Sequence, residues 1–191
     1  FFFNLAACGF VVVALSGRFL FPSVSVEGRS FWLILQAPIT LERFLVGKWL
    51  GGVVPVVIVG QLLIWASNLL VLQNAAYAVI ASGLILVLTL GVGAMAVGLG
   101  AVYPQFHNPN AAKIASSFGA VIYMILGMFL VLFTLAATFR TTLYLGSAFE
   151  GDPVTAIQPY NYVTTIVGLV APALASYLFI KLGASSLRKR L

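Results

Sequence analysis

Few residues in this 191-residue chain can do chemistry: it has one histidine, one cysteine and four acids, Glu27, Glu42, Glu150 and Asp152. His107 lies in YPQFHNPN with no carboxylate beside it. General acid–base catalysis and metal binding both need partners that this neighbourhood lacks. Cys8 is single and sits in an apolar run. That excludes an intrachain disulfide and a multi-cysteine metal site, and it reads as a small buried hydrophobe. Gly47-Lys48 is followed by Trp49, and position 42 is Glu rather than Gly. The phosphate-cradling pattern of a P-loop is therefore missing. Gly91, Gly93 and Ala96 match G-x-G-x-x-A, but inside an apolar run and not between a strand and a helix, so the match is accidental. No catalytic residues, no metal ligands and no cofactor bound by the chain itself are expected.

The elements that surround these residues belong to a membrane. The chain is 62% hydrophobic and 7% charged, with a mean hydropathy of +1.11. A soluble domain is about 25% charged. The expected class is an all-α polytopic membrane protein, a single transmembrane domain over residues 1–191. Runs such as VVPVVIVGQLLIW are apolar on every side, whereas barrel strands alternate. Five spans are read at residues 1–17, 49–72, 77–102, 114–138 and 162–180. QNAA, residues 73–76, is a tight turn between two of them. An elbow over residues 18–48 and a loop over 139–161 separate the others. The loop includes TTLYLGSAF, a candidate short helix dipping into the membrane surface. Because the chain begins at Phe1 and its first span is short, it reads as a piece of a longer protein.

Basic residues set the orientation. One side holds Arg18, Arg29, Arg43, Lys48, Lys113, Lys181, Arg188, Lys189 and Arg190, nine of the ten, and the other holds Arg140. The elbow and the C-terminus are therefore expected in the cytoplasm. The net charge of +6 lies at the ends of apolar runs. Topology and anionic lipid explain it there, and a nucleic-acid partner is not expected.

Pro22-Ser23 breaks the chain after the first span. A helix over residues 24–36 should follow and end at Ala37-Pro38. Thr40 and Glu42 mark the start of a second helix that runs through Lys48 into the next span, with Gly51, Gly52 and Pro55 favouring a kink. The first helix carries Glu27, Arg29, Ser30, Phe31 and Trp32. Mixed charge with an aromatic face fits two readings: an interfacial anchor, or a helix seated in a groove on a cytoplasmic ATPase. Further on, Ala94 and Gly98, Ala96 and Gly100, and Ser116 and Ala120 are small pairs at the spacing of close helix packing. Asn108 with Pro109 marks a helix start. The deep spans hold no ionisable residue. Their polar groups, among them Gln61, Asn68, Ser116 and Ser117, serve helix packing or a modest pathway.

FPSVSVEGRSFWLILQAPIT with LERFLVGKWLGG, and GLGAVYPQFHNPNAAKIASSFGAVIYMIL, resemble two blocks of the permease subunits of ABC-2 type exporters, in a bacterial exporter group. The resemblance implies the C-terminal portion of such a permease, in the bacterial cytoplasmic membrane. One more span than is read here, with its connecting helix, would precede it. It implies a permease that forms the translocation pathway with a second permease domain, as a homodimer or pseudo-dimer, and that carries no ATP site. ATP and Mg would sit on a separate ABC ATPase subunit, which would pull on a coupling helix at Glu27, Arg29, Ser30, Phe31 and Trp32. Gln105, His107 and Asn108 would form a second inner contact. The alternatives are a non-transporting anchor or scaffold of a larger complex, and an ion-coupled secondary transporter.

Overall fold

The computed structural model describes residues 1–31, 36, 38–70, 75–106, 110–150 and 159–190. Side chains are described for all of these except residues 29, 30, 75, 76, 144–150, 159–162 and 190. The helices are α1 (Phe2–Phe19), α2 (Leu41–Leu70), α3 (Ala75–Val102), α4 (Ala111–Ala115), α5 (Phe118–Glu150) and α6 (Pro159–Arg190). Two 3-10 segments, Phe21–Ser23 and Ser25–Ser30, link α1 to the chain before α2. Among the described residues five stretches are long and apolar enough to cross a membrane: Phe2–Gly28, Leu41–Leu70, Tyr77–Val102, Phe118–Leu143 and Val163–Lys189. A helix satisfies its own backbone polar groups, which is what an apolar solvent demands. This is the architecture of a multi-pass membrane protein.

The helices pack around α3. Its span is 78% buried within the bundle, against 17% for the span of α6. Small residues make that central place possible. A Cβ built on Gly98 would fall well inside van der Waals contact distance of the Phe179 carbonyl oxygen of α6, and one on Gly183 would lie 2.8 Å from the Gly98 oxygen. The Gly98 spacing is therefore used for packing inside one bundle. Polar pairs add direction. Gln61 Nε2 donates to the Ser82 carbonyl at 3.0 Å while Ser82 Oγ donates to Gln61 Oε1 at 2.6 Å, joining α2 to α3. Trp49 Nε1 donates to the Leu90 carbonyl at 3.1 Å across the same pair.

α1 and α5 meet by a size-matched stripe. Gly9 faces Val131, Val13 faces Gly127, and Gly17 faces Tyr123. Each level has one small and one large partner, at four-residue steps along both helices. Tyr123 is fully buried and its hydroxyl donates to the Val13 carbonyl at 3.0 Å. Tyr123→Phe keeps the ring and loses that bond. Interhelical bonds in membranes contribute about 0.6–2 kcal/mol. The variant should unfold at correspondingly lower denaturant in mixed micelles, while Tyr123→Ala should lose several times more.

Several boundaries differ from the sequence expectation. No α-helix starts at Val24: Ser25–Ser30 is a 3-10 segment, interrupted at Gly28, whose φ is 34°. Phe31 and Gln36 are helical, and residues 32–35 and 37 of the expected helix over 24–36 and its end lie outside the described set. The expected start at Asn108-Pro109 also lies outside it. The described cap is Asn110, whose side-chain oxygen accepts from the Ala112 N–H at 3.0 Å. The fourth span is broken at Ser116, where ψ is 10°. The loop expected from residue 139 is helical as far as Glu150, because TTLYLGSAF simply continues α5. The turn at 73–76 is only partly described, and Ala75 already belongs to α3. Thr40 does cap α2: its hydroxyl accepts from the Arg43 N–H at 3.3 Å, and Pro55 sits inside an unbroken helix.

Candidate functional site: the clasped elbow

After α1 the chain turns back into the bundle. Leu20, Phe21, Val24 and Ser25 are buried. A buried turn must satisfy its own backbone groups. Ser23 Oγ donates to the Leu20 carbonyl at 2.5 Å, and the Glu27 N–H donates to the Val24 carbonyl at 3.3 Å. Phe21 presses its main-chain oxygen against Gly100 of α3, and its ring lies 6.1 Å from that of Tyr123.

Three further ties close the elbow onto its neighbours. The buried Ser25 hydroxyl accepts from the Gln105 N–H at 3.1 Å, joining the elbow to the segment after α3. Phe31 is buried between Phe106, at 4.9 Å between ring centroids, and Phe44 of α2, at 6.0 Å. Glu27 accepts from Lys48 of α2, whose ammonium also lies 5.8 Å from the Phe44 ring centroid. Gly28 lets the chain turn between these ties. Its positive φ disfavours a side chain, and a Cβ there would lie 3.2 Å from the Phe106 carbonyl oxygen. The Glu27–Lys48 pair is about a third exposed, so it orients more than it stabilises; such pairs contribute about 0–1 kcal/mol. The aromatic trio is the stronger tie. The arrangement holds no reacting group. It is a mechanical junction that binds one segment to the start of α2 and to the end of the central helix α3.

The expected site residues fall in different places. Glu27 and Phe31 are both in the clasp, with Phe31 turned inward. Arg29 and Ser30 are on its 3-10 backbone, and Trp32, His107 and Asn108 lie outside the described residues. Gln105 is joined to the elbow as described. Of the span groups named above, Gln61, Asn68, Ser116 and Ser117 do not converge on one place. Gln61 pairs with Ser82. Asn68 accepts from Asn4 at 3.5 Å near the opposite end. Ser116 Oγ donates to the Lys113 carbonyl at 3.0 Å, beside Ser117 in the break before α5. Ser25, Phe44 and Phe106 complete the clasp without having been singled out in the sequence. A phenylalanine in an apolar chain carries no signal of its own.

The basic residues gather by the same topology. Arg18 ends α1, Arg43 and Lys48 open α2, Lys113 is in α4, and Lys181, Arg188 and Lys189 lie toward the end of α6. Among the described residues no group of three His, Cys, Asp or Glu is placed to hold a metal ion.

A family model described as "Putative ATP-binding cassette" matches residues 1–190. No curated protein and no solved structure matches the chain. The match overturns the identification with permease subunits of ABC-2 type exporters, and with it the function as an exporter permease. That identification extended over essentially the whole chain, with its most specific parts in two blocks, residues 21–52 and 98–126. The family model takes in nearly the whole chain and is described by its ATP-binding cassette. Neither the anchor nor the ion-coupled carrier gains support from it.

Proposed function

The chain belongs to the family described as "Putative ATP-binding cassette", and on that premise we propose that it is the membrane-embedded component of an ATP-binding-cassette system, with the clasped elbow as its contact for a nucleotide-binding partner. The observation that carries this reading is the clasp. One short segment is tied at once to α2 and to the segment leaving α3, the helix against which the others pack. A displacement at the elbow therefore reaches the centre of the bundle through packed contacts and not through a free loop. ATP and Mg would be held by the partner, since the sequence lacks the P-loop pattern. The basic residues at the elbow end support a cytoplasmic elbow and C-terminus. Arg29, Ser30 and Trp32 are the contact residues on this reading. Glu27 and Phe31 hold the segment that presents them.

Purification from native membranes tests it. The chain should bring down an ATP-hydrolysing partner, and Arg29→Glu with Trp32→Ala should remove that partner without unfolding the bundle. The chain alone should show no saturable binding of Mg-ATP. Binding by the isolated chain, or an intact complex in the double variant, would overturn the reading.

A further inference from the structure

At the end of the bundle away from the elbow, α5 and α6 form an exposed, largely apolar groove of about 530 Å³. That end is marked by Phe2 of α1, whose ring lies 4.5 Å from that of Phe139. The groove is lined by Phe133, Ala136, Ala137, Phe139 and Arg140 of α5 and by Val163, Thr164 and Val167 of α6. The spacing on α5 is that of one helical face. The floor is rigid. Gly168 approaches so closely that a Cβ there would lie 2.8 Å from Ala137 Cβ, and the hydroxyls of Thr141 and Thr165 meet at 2.5 Å just beyond. Phe133 and Arg140 are seven residues apart, so their backbone positions are separated by roughly 10 Å along α5, at 1.5 Å per residue.

A second groove, between α1 and α5, is of similar size, about 410 Å³. It is lined by Phe10, Val13, Ala14, Met124, Ile125, Met128, Phe129 and Leu132, which are apolar throughout. Nothing there would distinguish one lipid from another. The first groove differs by having a cation at its membrane-surface end. Arg140 is also the one basic residue that the charge distribution leaves away from the elbow side. Orientation signals do not account for it.

We propose that the α5–α6 groove is a binding site for one anionic phospholipid, with an acyl chain against Phe133, Ala136, Val163 and Val167 and its phosphate on Arg140. The volume is within the range of small-ligand sites. A phosphate matches the forked donors of arginine, and five N–H groups allow it to take a phosphate while keeping another contact. Thr164 adds a polar side chain to the same wall. The site is independent of the elbow, so it stands or falls separately from the proposed function.

Photo-crosslinking tests it. The chain is placed in phosphatidylcholine vesicles doped with either phosphatidylglycerol or phosphatidylcholine carrying a diazirine in the acyl chain, and labelled peptides are mapped. In the wild type, peptides spanning residues 133–140 and 163–167 should label about fivefold more with phosphatidylglycerol, the preference that one basic side chain at the surface supplies. Peptides of the α1–α5 groove should label equally with both lipids. Arg140→Gln should bring the α5–α6 ratio to near one, and Arg140→Lys should restore part of it. Ala136→Phe, which fills a lipid-exposed position, should suppress labelling by both lipids there. Equal labelling in the wild type, or a preference that survives Arg140→Gln, overturns the proposal.

Discussion

Gly98→Val should be among the most destabilising single substitutions of its size in the spans. The added atoms meet the Phe179 carbonyl oxygen, which is main chain and cannot rotate away. Either α6 lifts off α3 or both helices shift. Overpacking costs about 1–3 kcal/mol where side chains can adjust, so a backbone clash should cost about 3 kcal/mol or more. α6 buries little else, and this crossing is its main hold on the centre. Two controls make the expectation sharp. Gly47→Val in α2, where a Cβ meets nothing within 4 Å, should change stability by less than about 1 kcal/mol. Phe179→Ala should not rescue Gly98→Val, because the offending atom remains. Unfolding curves in mixed micelles measure all three. Equal midpoints for Gly98→Val and Gly47→Val would show that the α3–α6 crossing is not the close one described.

The spans were the legible part of the fold, for a physical reason. A bilayer requires about 20 apolar residues in each helix, and nothing else in the sequence imitates that length. The start of α2 is equally legible, since Thr40 and Glu42 do locally what a helix start requires. The elbow is not legible in the same way. Residues 24–30 have the composition of a helix start. What selects a 3-10 path there is tertiary: Phe21 against Gly100, Ser25 beneath the Gln105 N–H, and Gly28 against the Phe106 carbonyl. Each partner lies far along the chain, and no local pattern announces it. TTLYLGSAF shows the reverse error. It reads as a separate short helix within a loop, but threonine hydroxyls can bond back to the preceding turn, as Thr142 does to the Thr138 carbonyl at 2.9 Å. The chain therefore continues as α5 with the Thr141 and Thr142 hydroxyls bonded.

The site divides along the same line. Charge marked the elbow as the working end, because Arg18, Arg43, Lys48 and Glu27 stand out in an apolar chain. It gave no means of telling which residues face a partner and which face the bundle. Phe31 illustrates this. On a helical wheel it belongs to an outward aromatic face, yet in the structure it is turned in between two rings. The local blocks around it also carried the resemblance to exporter permeases that the match over the whole chain does not sustain. A short motif built around a clasp reports how a membrane helix is re-entered, which is a different matter from what the whole chain does.

Phe31→Ala should therefore disconnect the elbow while leaving the membrane bundle intact. Removing the ring strips both Phe106 and Phe44 of their partner. A buried phenylalanine truncation costs about 3–5 kcal/mol when the site cannot collapse. Here the lost energy belongs to a junction at one end of the bundle, so the response should be local. Backbone hydrogen exchange should accelerate by at least about tenfold over residues 25–31 and 103–106, since each 1.4 kcal/mol lost from local opening is a factor of ten. Exchange in α5 and α6 should be unchanged. On the proposed function, the nucleotide-binding partner should also be lost, although Arg29 and Trp32 are untouched, because the segment that presents them no longer has a fixed place. Phe31→Leu keeps most of the volume and should cost less than about 1.5 kcal/mol, with the partner retained. The two measurements separate two failures. Accelerated exchange with the partner still bound would leave the clasp standing and sink the elbow as the contact. Unchanged exchange in Phe31→Ala would show that the aromatic trio does not hold the elbow at all.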